Sequence, residues 1–339
     1  MKHRWRTAVM VIAALGCVFI LLLKYIDNNN VTQQHSVNVA VSLTPLSAPF
    51  YVAKAIDAFD KQCNSVNFVD VVGGKRAFDL VSSGHVEYAT SSDSVIAYQS
   101  LHHTPLVTHA MFVQSDNDIK LLSNKAAYIR DIKHLAGKKV GVTLGTAGEY
   151  FLTALLALEG LTLEDIMVKN YLPDDLHSAI LAEQVDAIVS WEPYAFQTIQ
   201  IMGEDIKLHQ TKNLNSLSFN LISTNRQAED ITTTRCLLAG LIKATEFIAI
   251  QPKKAKAIVK NKLNVEQAFI DWVWRDYIFK VGLDNSLLLS IEAQAMWAFE
   301  QHLLSSKDTE PLTAHNQYKS YIDVRALSQI NPQLVNIYF

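Results

Sequence analysis

The stretch Gly137-Lys138-Lys139-Val140-Gly141-Val142-Thr143-Leu144-Gly145-Thr146-Ala147-Gly148 decides the fold. Its first half is typical of a short apolar strand, and its second half, which contains two glycines, is typical of a turn. A helix is predicted over residues 149–158, because apolar side chains recur there at helical spacing and Gly160 stands where a helix would end. The stretch therefore predicts a strand that leads directly into a helix.

A second strand-helix-strand cycle follows this stretch. Strands are predicted over residues 166–171 and 185–189, with a helix over residues 174–182 between them. Strands that alternate with helices of this length predict a parallel sheet with helices on its faces. Ligands of such sheets bind beyond the carboxyl ends of the strands, which here carry residues 145–149 and 190–193. We expect the binding site at this edge of the sheet.

The length of the chain indicates two lobes, since 339 residues are too many for one small core. The first lobe is predicted over residues 37–114 and 218–330, and the second over residues 115–217. Residues 117–135 are interpreted as a link into the second lobe, and the chain is predicted to be helical from Asp230 onward. Two lobes joined by two crossings form a hinge that suits closure over a small ligand.

The N-terminal residues differ from the rest of the chain in hydropathy. Arg4 and Arg6 precede an almost uninterrupted apolar run over residues 8–23. The run is marginally long enough to span a bilayer, and basic residues before it place the remainder of the chain outside the cytoplasm. The pattern predicts a retained transmembrane anchor over residues 1–26, followed by a polar tether over residues 27–36.

Two alternatives stay open for the same segment. Cys17 follows Ala14-Leu15-Gly16, which resembles a lipoprotein processing site, although residues 18–23 stay apolar where a mature lipoprotein would turn polar. A cleaved signal peptide is the other alternative, although no small-x-small cleavage site follows the run. Each interpretation exports the domain, so we expect it on the periplasmic side of the bacterial inner membrane, anchored, lipid-anchored or released.

The charge of the exported part excludes nucleic acid as a partner. Thirty basic residues less the four within residues 1–26 leave 26 basic against 33 acidic residues, a net charge of −7. A nucleic-acid-binding domain would need a basic face instead.

The cysteines predict no metal or cofactor site. Beyond residue 26 the chain has only Cys63 and Cys236, and it contains no Cys-x-x-Cys or His-Glu-x-x-His spacing. Both cysteines lie on apolar helical faces, which favours two separately buried thiols, while an oxidising compartment would allow them to pair. We expect neither metal nor cofactor.

Three polar segments are candidates for ligand contact. The turn at Gly145 and Thr146 starts a helix, where free backbone N–H groups and the positive end of the helix dipole favour an anion. The alternative is a purely structural turn. Ser91, Ser92 and Asp93 offer hydroxyls and a carboxylate from the first lobe, and the alternative for them is helix capping. The same two interpretations apply to a further residue at the start of the first helix, Ser47.

Two glutamates and a tryptophan bear on the type of ligand. A carboxylate at Glu149 or Glu192 would favour an amine or an amino-heterocycle, or would pair with Lys75 or Arg76. Alternatively, Glu149 is a first-turn residue that interacts with the helix dipole. Trp191 is either an aromatic wall for a planar ligand or a packing residue at a strand end.

Several short segments, spread over roughly residues 37–327, form a pattern when they are taken together in their order. They are Phe50-Tyr51-Val52-Ala53-Lys54-Ala55, Gly74, Gly84, Asp131-Ile132, Leu135, Gly137-Lys138-Lys139-Val140-Gly141-Val142, Gly145-Thr146, Glu159-Gly160-Leu161, Val185-Asp186-Ala187, Trp191-Glu192-Pro193, Tyr318 and Ile322-Asp323. In this order they resemble the periplasmic solute-binding proteins of nitrate, sulfonate and taurine transporters, a group that includes binders of the pyrimidine precursor of thiamine.

The resemblance implies an α/β fold, the bilobed type II periplasmic binding protein with two α/β lobes joined by two crossings. It adds Gly74 and Asp186 to the expected ligand-binding residues. The chain departs from the family pattern at Glu87 and Tyr88, where an aspartate and a small residue are usual, and in its retained N-terminal run.

The resemblance also implies a function without catalysis. We expect a protein that captures a small polar organic ligand, of the sulfonate, zwitterion or nitrogen-heterocycle class, and delivers it to the permease of an ABC transporter. One alternative is a membrane-tethered sensing module for a separate signalling receptor. The other is an enzyme similar to thiamine-pyrimidine synthases, which would need a cysteine-rich stretch that this chain lacks.

Overall fold

The computed structural model describes residues 36–59, 65–211, 216–300 and 315–337. Within these residues the strands form two separate sheets. The strands are β1 (Val37–Ser42), β2 (Val66–Val71), β3 (Tyr88–Ser92), β4 (Leu106–Ser115), β5 (Ile119–Asn124), β6 (Lys139–Val142), β7 (Met167–Asn170), β8 (Ala187–Trp191), β9 (Ile206–Leu208), β10 (Leu217–Thr224), β11 (Tyr277–Asp284) and β12 (Val335–Asn336).

Helices cover both sheets, and short 3₁₀ turns join several of the elements. The α-helices are α1 (Ala48–Ala55), α2 (Gly74–Ser82), α3 (Asp93–Leu101), α4 (Ala147–Leu158), α5 (Leu176–Leu181), α6 (Tyr194–Met202), α7 (Ile231–Ile250), α8 (Pro252–Leu263), α9 (Gln267–Trp274), α10 (Asn285–Glu300), α11 (His315–Tyr318) and α12 (Arg325–Ile330).

In the sequence, the strands of the larger sheet come partly before and partly after those of the smaller sheet. Its order is β12-β11-β4-β10-β3-β1-β2. Strand β1 pairs in parallel with β2 and β3, whereas β10 runs antiparallel between β3 and β4. The chain leaves this sheet after β4 and returns to it at β10, so it passes between the two sheets twice.

The smaller sheet is built from β5 to β9 in the order β7-β6-β8-β5-β9. Strand β6 pairs in parallel with β7 and β8, as the alternation of strands and helices predicts, whereas β5 runs antiparallel to both of its neighbours, β8 and β9. The expected α/β fold is therefore confirmed, while both sheets contain antiparallel pairs in addition to the expected parallel ones. The lobe boundaries stay a prediction, because the division of strands between sheets does not fix where a lobe begins.

The two longer of the three strands that the sequence pattern does not predict are β5 and β11; the third is β12. Strand β5 falls within the segment that was predicted to be a link. The sequence pattern did not indicate a strand there because Lys120 interrupts the apolar run, although the Lys120 side chain is buried. Strand β11 falls within the region predicted to be helical, and its pairing with β4 determines its conformation. Both strands depend on contacts with distant residues, which local periodicity does not register.

The cysteine interpretation is wrong for Cys236. This residue of α7 forms a disulfide, whose partner lies outside the described residues. An apolar helical face is compatible with a thiol or a disulfide, so the local pattern had no power to decide between them.

The predicted anchor over residues 1–26 lies outside the described residues. In the part of the chain that the structure describes, no helix has both the length and the apolar character that a membrane span requires.

Candidate ligand-binding site

A cavity of about 750 Å³ lies between the two sheets, and both contribute to its lining. The carboxyl ends of six strands, three from each sheet, meet at this cavity. The lining residues at or directly after these ends are Ser42, Val72, Ser92, Thr143, Asn170 and Trp191. A cavity in this position is what a parallel α/β arrangement favours.

The starts of helices from both sheets meet the cavity. Gly74 begins α2, Ser92 caps α3 and Ala147 begins α4, and a 3₁₀ turn that starts at Pro45 adds Leu46 to the lining. The first N–H groups of a helix have no partner within the helix, and its N-terminus carries the positive end of the dipole. Together these helix starts produce a positive potential that favours an anionic group.

Two consecutive glycines allow α2 to start close to β3. Gly73 has a φ of 81°, which disfavours any residue with a side chain. A Cβ atom on Gly74 would lie 3.1 Å from both the Cα of Ser91 and the backbone nitrogen of Ser92. Because both neighbours are backbone atoms, only glycine fits there without displacing the strand.

The turn before α4 is held together by its own side chains. The backbone N–H of Gly145 donates to Oε2 of Glu149 over 2.8 Å, and the hydroxyl of Tyr98 donates to the same oxygen over 3.0 Å. The Thr146 hydroxyl donates to the carbonyl of Thr143 and accepts from the N–H of Gly148. Glu149 is therefore a buried internal acceptor, and burial raises the pKa of its carboxyl.

Glu192 is likewise occupied by protein contacts. Its Oε1 accepts from the indole Nε1 of Trp272 over 2.9 Å, and its Oε2 accepts from the backbone N–H of Phe196 over 3.0 Å. The side chain is completely buried, and this burial raises the pKa of the carboxyl to about 7. Glu192 joins α9 to the segment that follows β8.

Asp93 forms a third buried carboxylate network. It accepts hydrogen bonds from the Ser290 hydroxyl over 2.9 Å, the N–H of Ser94 over 3.0 Å and the N–H of Ser218 over 3.4 Å. Burial raises the pKa of the Asp93 carboxyl to about 6. These contacts fix α3 against α10 and β10.

The eleven residues expected at the site divide into two groups. Gly74, Ser92, Thr146 and Trp191 line the cavity. The others are outside the lining: Ser47, Ser91, Asp93, Gly145, Glu149, Asp186 and Glu192.

For two of these seven residues, the hydrogen bonds that they form explain why they lie outside the lining. Ser91 donates its hydroxyl to the carbonyl of Gly74 over 3.1 Å, so it supports the α2 start from behind. Asp186 precedes β8 and accepts from the N–H of Lys139 over 2.8 Å, which places it at the opposite end of the strand from Trp191.

Asp118 is a lining residue that the sequence analysis missed. Its side chain is 2 % exposed, and Oδ1 accepts from the hydroxyl of Tyr277. The other oxygen, Oδ2, is buried and has no hydrogen-bond partner among the described residues. Burial raises the pKa of the carboxyl to about 6, against the opposing effect of Tyr277 and Lys120. The only signal in the sequence was an acid directly before an apolar run, in a segment interpreted as a link.

A serine–histidine pair lies elsewhere in the larger sheet. The Nε2 of His109 is 2.8 Å from the Ser223 hydroxyl, which also contacts the carbonyl of Thr224. Both residues are fully buried and neither lines the cavity. Among the described residues no group of three or more His, Cys, Asp or Glu side chains is placed to hold a metal ion.

Comparison with known proteins identifies similar chains. A putative aliphatic sulfonates-binding protein of Bacillus subtilis is 28 % identical over 198 residues, which are 57 % of this chain and 58 % of that protein. The chain thus spans little more than half of this relative. A putative binding protein of Brucella abortus is 25 % identical over 146 residues, 42 % of this chain and 46 % of that protein.

Solved structures show the same fold at low sequence identity. The alkanesulfonate-binding protein SsuA of Xanthomonas axonopodis pv. citri, bound to MOPS, has a TM-score of 0.72 at 17 % identity and covers 81 % of this chain and 96 % of its own. The periplasmic nitrate-binding protein NrtA of Synechocystis has a TM-score of 0.65 at 13 % identity and covers 88 % of this chain and 89 % of its own.

The family model described as NMT1/THI5 like matches residues 44–255, which is more than half of the chain and includes the helix starts at the cavity. The chain therefore belongs to the NMT1/THI5-like family and has the two-sheet α/β fold of periplasmic binding proteins.

Proposed function

We propose that this protein is an extracytoplasmic solute-binding protein that captures a small polar organic ligand between its two sheets. One observation carries the proposal. Helix starts from both sheets converge on the same 750 Å³ cavity, together with the basic side chains of Arg76 and of Lys75, which pairs with Asp79 at 3.3 Å. This arrangement provides backbone N–H groups and the positive ends of helix dipoles on both sides of one small ligand.

The proposal includes a hinge between two lobes, residues 37–114 with 218–330 and residues 115–217. The cavity takes its lining from both groups of residues, and the chain passes between the sheets twice. A ligand that contacts both linings would favour a closed arrangement over an open one. Closure would then signal to the permease of an ABC transporter that a ligand is bound. This permease is the partner to which we expect the protein to deliver its ligand.

The lining supports a ligand of the sulfonate, zwitterion or nitrogen-heterocycle class. Thr146 and Ala147 at the start of α4 and Gly74 at the start of α2 would hold the anionic group. Trp191 also lines the cavity and offers an aromatic surface. The names of the relatives agree with this class, since they include binders of aliphatic sulfonates.

Binding without catalysis is part of the proposal. Among the described lining residues there is neither a histidine nor a cysteine, so the cavity offers no obvious nucleophile and base pair. The buried Ser223–His109 contact is remote from this lining.

The disulfide at Cys236 supports an exported, oxidising location. We assign the domain to the periplasmic side of the inner membrane, with residues 1–26 as the anchor.

A ligand screen on the purified full chain tests the proposal. Sulfonates, nitrate, amino-pyrimidines and small carboxylates are added in turn, and the melting temperature is recorded. A ligand present at a hundredfold excess over its dissociation constant stabilises the protein by about 2.7 kcal/mol. Arg76→Ala should reduce the shift, whereas the exposed Arg130, outside the lining, provides the matched control Arg130→Ala. A chain that no member of the set stabilises would contradict the proposal.

A further inference from the structure

Hydrogen bonds from the described residues satisfy only part of the Asp118 carboxylate. It lies between β4 and β5, where the chain passes from the larger sheet to the smaller one, and it lines the cavity. Within the part of the chain that the structure describes, one of its two carboxylate oxygens has a partner, the hydroxyl of Tyr277, which belongs to β11. The buried Oδ2 accepts no hydrogen bond from these residues. A buried carboxylate oxygen without a donor is costly, so an unmet acceptor beside a cavity indicates a ligand donor.

The charges around Asp118 favour a positive donor. The charge of Lys120 lowers the pKa of both Asp118 and Glu192, and the charge of Asp118 raises the pKa of Glu192. The three groups therefore interact. All three side chains are almost completely buried. With both carboxylates ionised, this group holds two negative charges against the single positive charge of Lys120.

Lys120 is engaged in other contacts. Its ammonium donates to the carbonyl of Asn117 and lies 6.0 Å from the centre of the Trp272 ring. A second neighbouring acid, Asp276, accepts from the side-chain amide of Asn117 over 2.8 Å and adds a further negative charge near Tyr277. The surroundings of Asp118 are therefore negative overall, in contrast to the positive potential at the helix starts.

We propose that Asp118 recognises a cationic nitrogen of the ligand, so that the ligand carries an ammonium or amidinium group in addition to its anionic group. This assignment rests on the proposed function and narrows it to zwitterionic solutes. The cationic nitrogen donates to Oδ2 of Asp118, while the helix starts of α2 and α4 hold the anion. A plain anion bound at the helix starts would leave the Asp118 carboxylate without a compensating positive charge. The cavity therefore selects against plain anions.

Matched pairs of probes test the assignment by calorimetric titration of the full chain at about pH 8, where the Asp118 carboxyl is ionised. The pairs are 2-aminoethanesulfonate with ethanesulfonate, and 3-aminopropionate with propionate. In the wild-type chain we expect at least one aminated probe to bind about tenfold or more tightly than its plain partner. In D118N, which keeps an acceptor for Tyr277, that preference should fall to about one.

The control variant is D116N, because Asp116 is two residues away and outside the lining. It should keep the preference of the wild type. If D118N does not fold, D118S removes the carboxylate with a smaller side chain and provides the same comparison. Binding of the plain anions without preference for the aminated probes overturns the assignment of Asp118 alone. An unchanged preference in the Asp118 variants does the same. Failure of all four probes to bind the wild type contradicts the proposed function for these ligand classes instead.

Discussion

The indole Nε1 of Trp272 donates a hydrogen bond to Oε1 of Glu192 over 2.9 Å and so connects the two halves of the molecule. Trp272 lies on α9, the helix that precedes β11 of the larger sheet in sequence, and Glu192 directly follows the last residue of β8 in the smaller sheet. Phe196 reinforces the contact, with its ring centre 5.3 Å from that of Phe269 and 6.0 Å from that of Trp272. The hydrogen bond and the aromatic contacts thus join α9 to α6 and to the segment that directly follows β8.

Trp272→Phe should destabilise the folded chain, because it keeps the aromatic packing and removes the donor to a completely buried carboxylate. The unsatisfied acceptor costs about 1–3 kcal/mol of unfolding free energy. Urea unfolding at about neutral pH measures the difference. Trp297 packs its ring against that of Tyr150, with ring centres 4.8 Å apart, and its indole donates to no carboxylate among the described residues, so Trp297→Phe should cost less. Equal losses in both variants would contradict the role of the hydrogen bond.

Glu192→Gln should change how stability depends on pH. Burial raises the pKa of Glu192 to about 7 from an ordinary value of 4.5. Between these values the folded chain binds more protons than the unfolded chain, so rising pH destabilises the wild type. The variant lacks this effect.

Relative to the wild type, Glu192→Gln should therefore gain unfolding free energy between about pH 5 and pH 8, with an upper limit of about 3 kcal/mol. Denaturant unfolding of both chains at each pH measures this gain. Contributions from titrating groups that do not interact with Glu192 cancel in the difference between the chains, whereas Asp118 interacts with Glu192 and contributes to it. A constant difference across this range would mean that Glu192 titrates at its ordinary value in the folded state.

Gly74→Ala should impair both folding and ligand binding. The added Cβ would lie 3.1 Å from backbone atoms of Ser91 and Ser92, so either α2 or β3 has to move. Overpacking of this kind costs about 1–3 kcal/mol. Gly282 is the control, because its Cβ would meet nothing nearer than 3.5 Å. Melting temperatures of the two alanine variants should differ clearly, and equal values would show that the close approach is relieved at no cost.

The order of elements around the cavity was predictable from the sequence, and most side-chain roles were not. Apolar periodicity located β6, α4, β7, α5 and β8 to within about two residues, because these elements alternate in a continuous stretch. The carboxyl ends of the strands then indicated the edge at which the cavity lies.

Roles of individual side chains depend on partners far away in the sequence. Glu149 is bound by Tyr98, 51 residues earlier, and Glu192 by Trp272, 80 residues later. Asp118 is buried by Tyr277, 159 residues later, on a strand that was predicted to be helical. Local pattern shows that a carboxylate is near a strand end, but only the fold shows which of its oxygens is left without a donor.

Glu149→Gln separates two roles for the carboxylate at the start of α4. Both donors to Glu149, the N–H of Gly145 and the hydroxyl of Tyr98, bond to the single oxygen Oε2, so the amide oxygen of glutamine can accept both. The variant therefore keeps the turn and removes a buried negative charge beside the expected anion position. Because burial already disfavours the charged form, the melting temperature of the unliganded chain should be unchanged or slightly higher.

Affinity for an anionic ligand should rise about two- to fivefold in Glu149→Gln, since the repulsion from the carboxylate is lost. Glu159→Gln is the matched control, because Glu159 directly follows the same helix and forms an exposed ion pair with Lys133 at 3.3 Å. Calorimetric titration of the three chains with the best ligand of the screen measures the effect. If Glu149 instead contacts a cationic group of the ligand, the same variant weakens binding. The sign of the change therefore decides between an internal acceptor of the turn and a direct ligand contact.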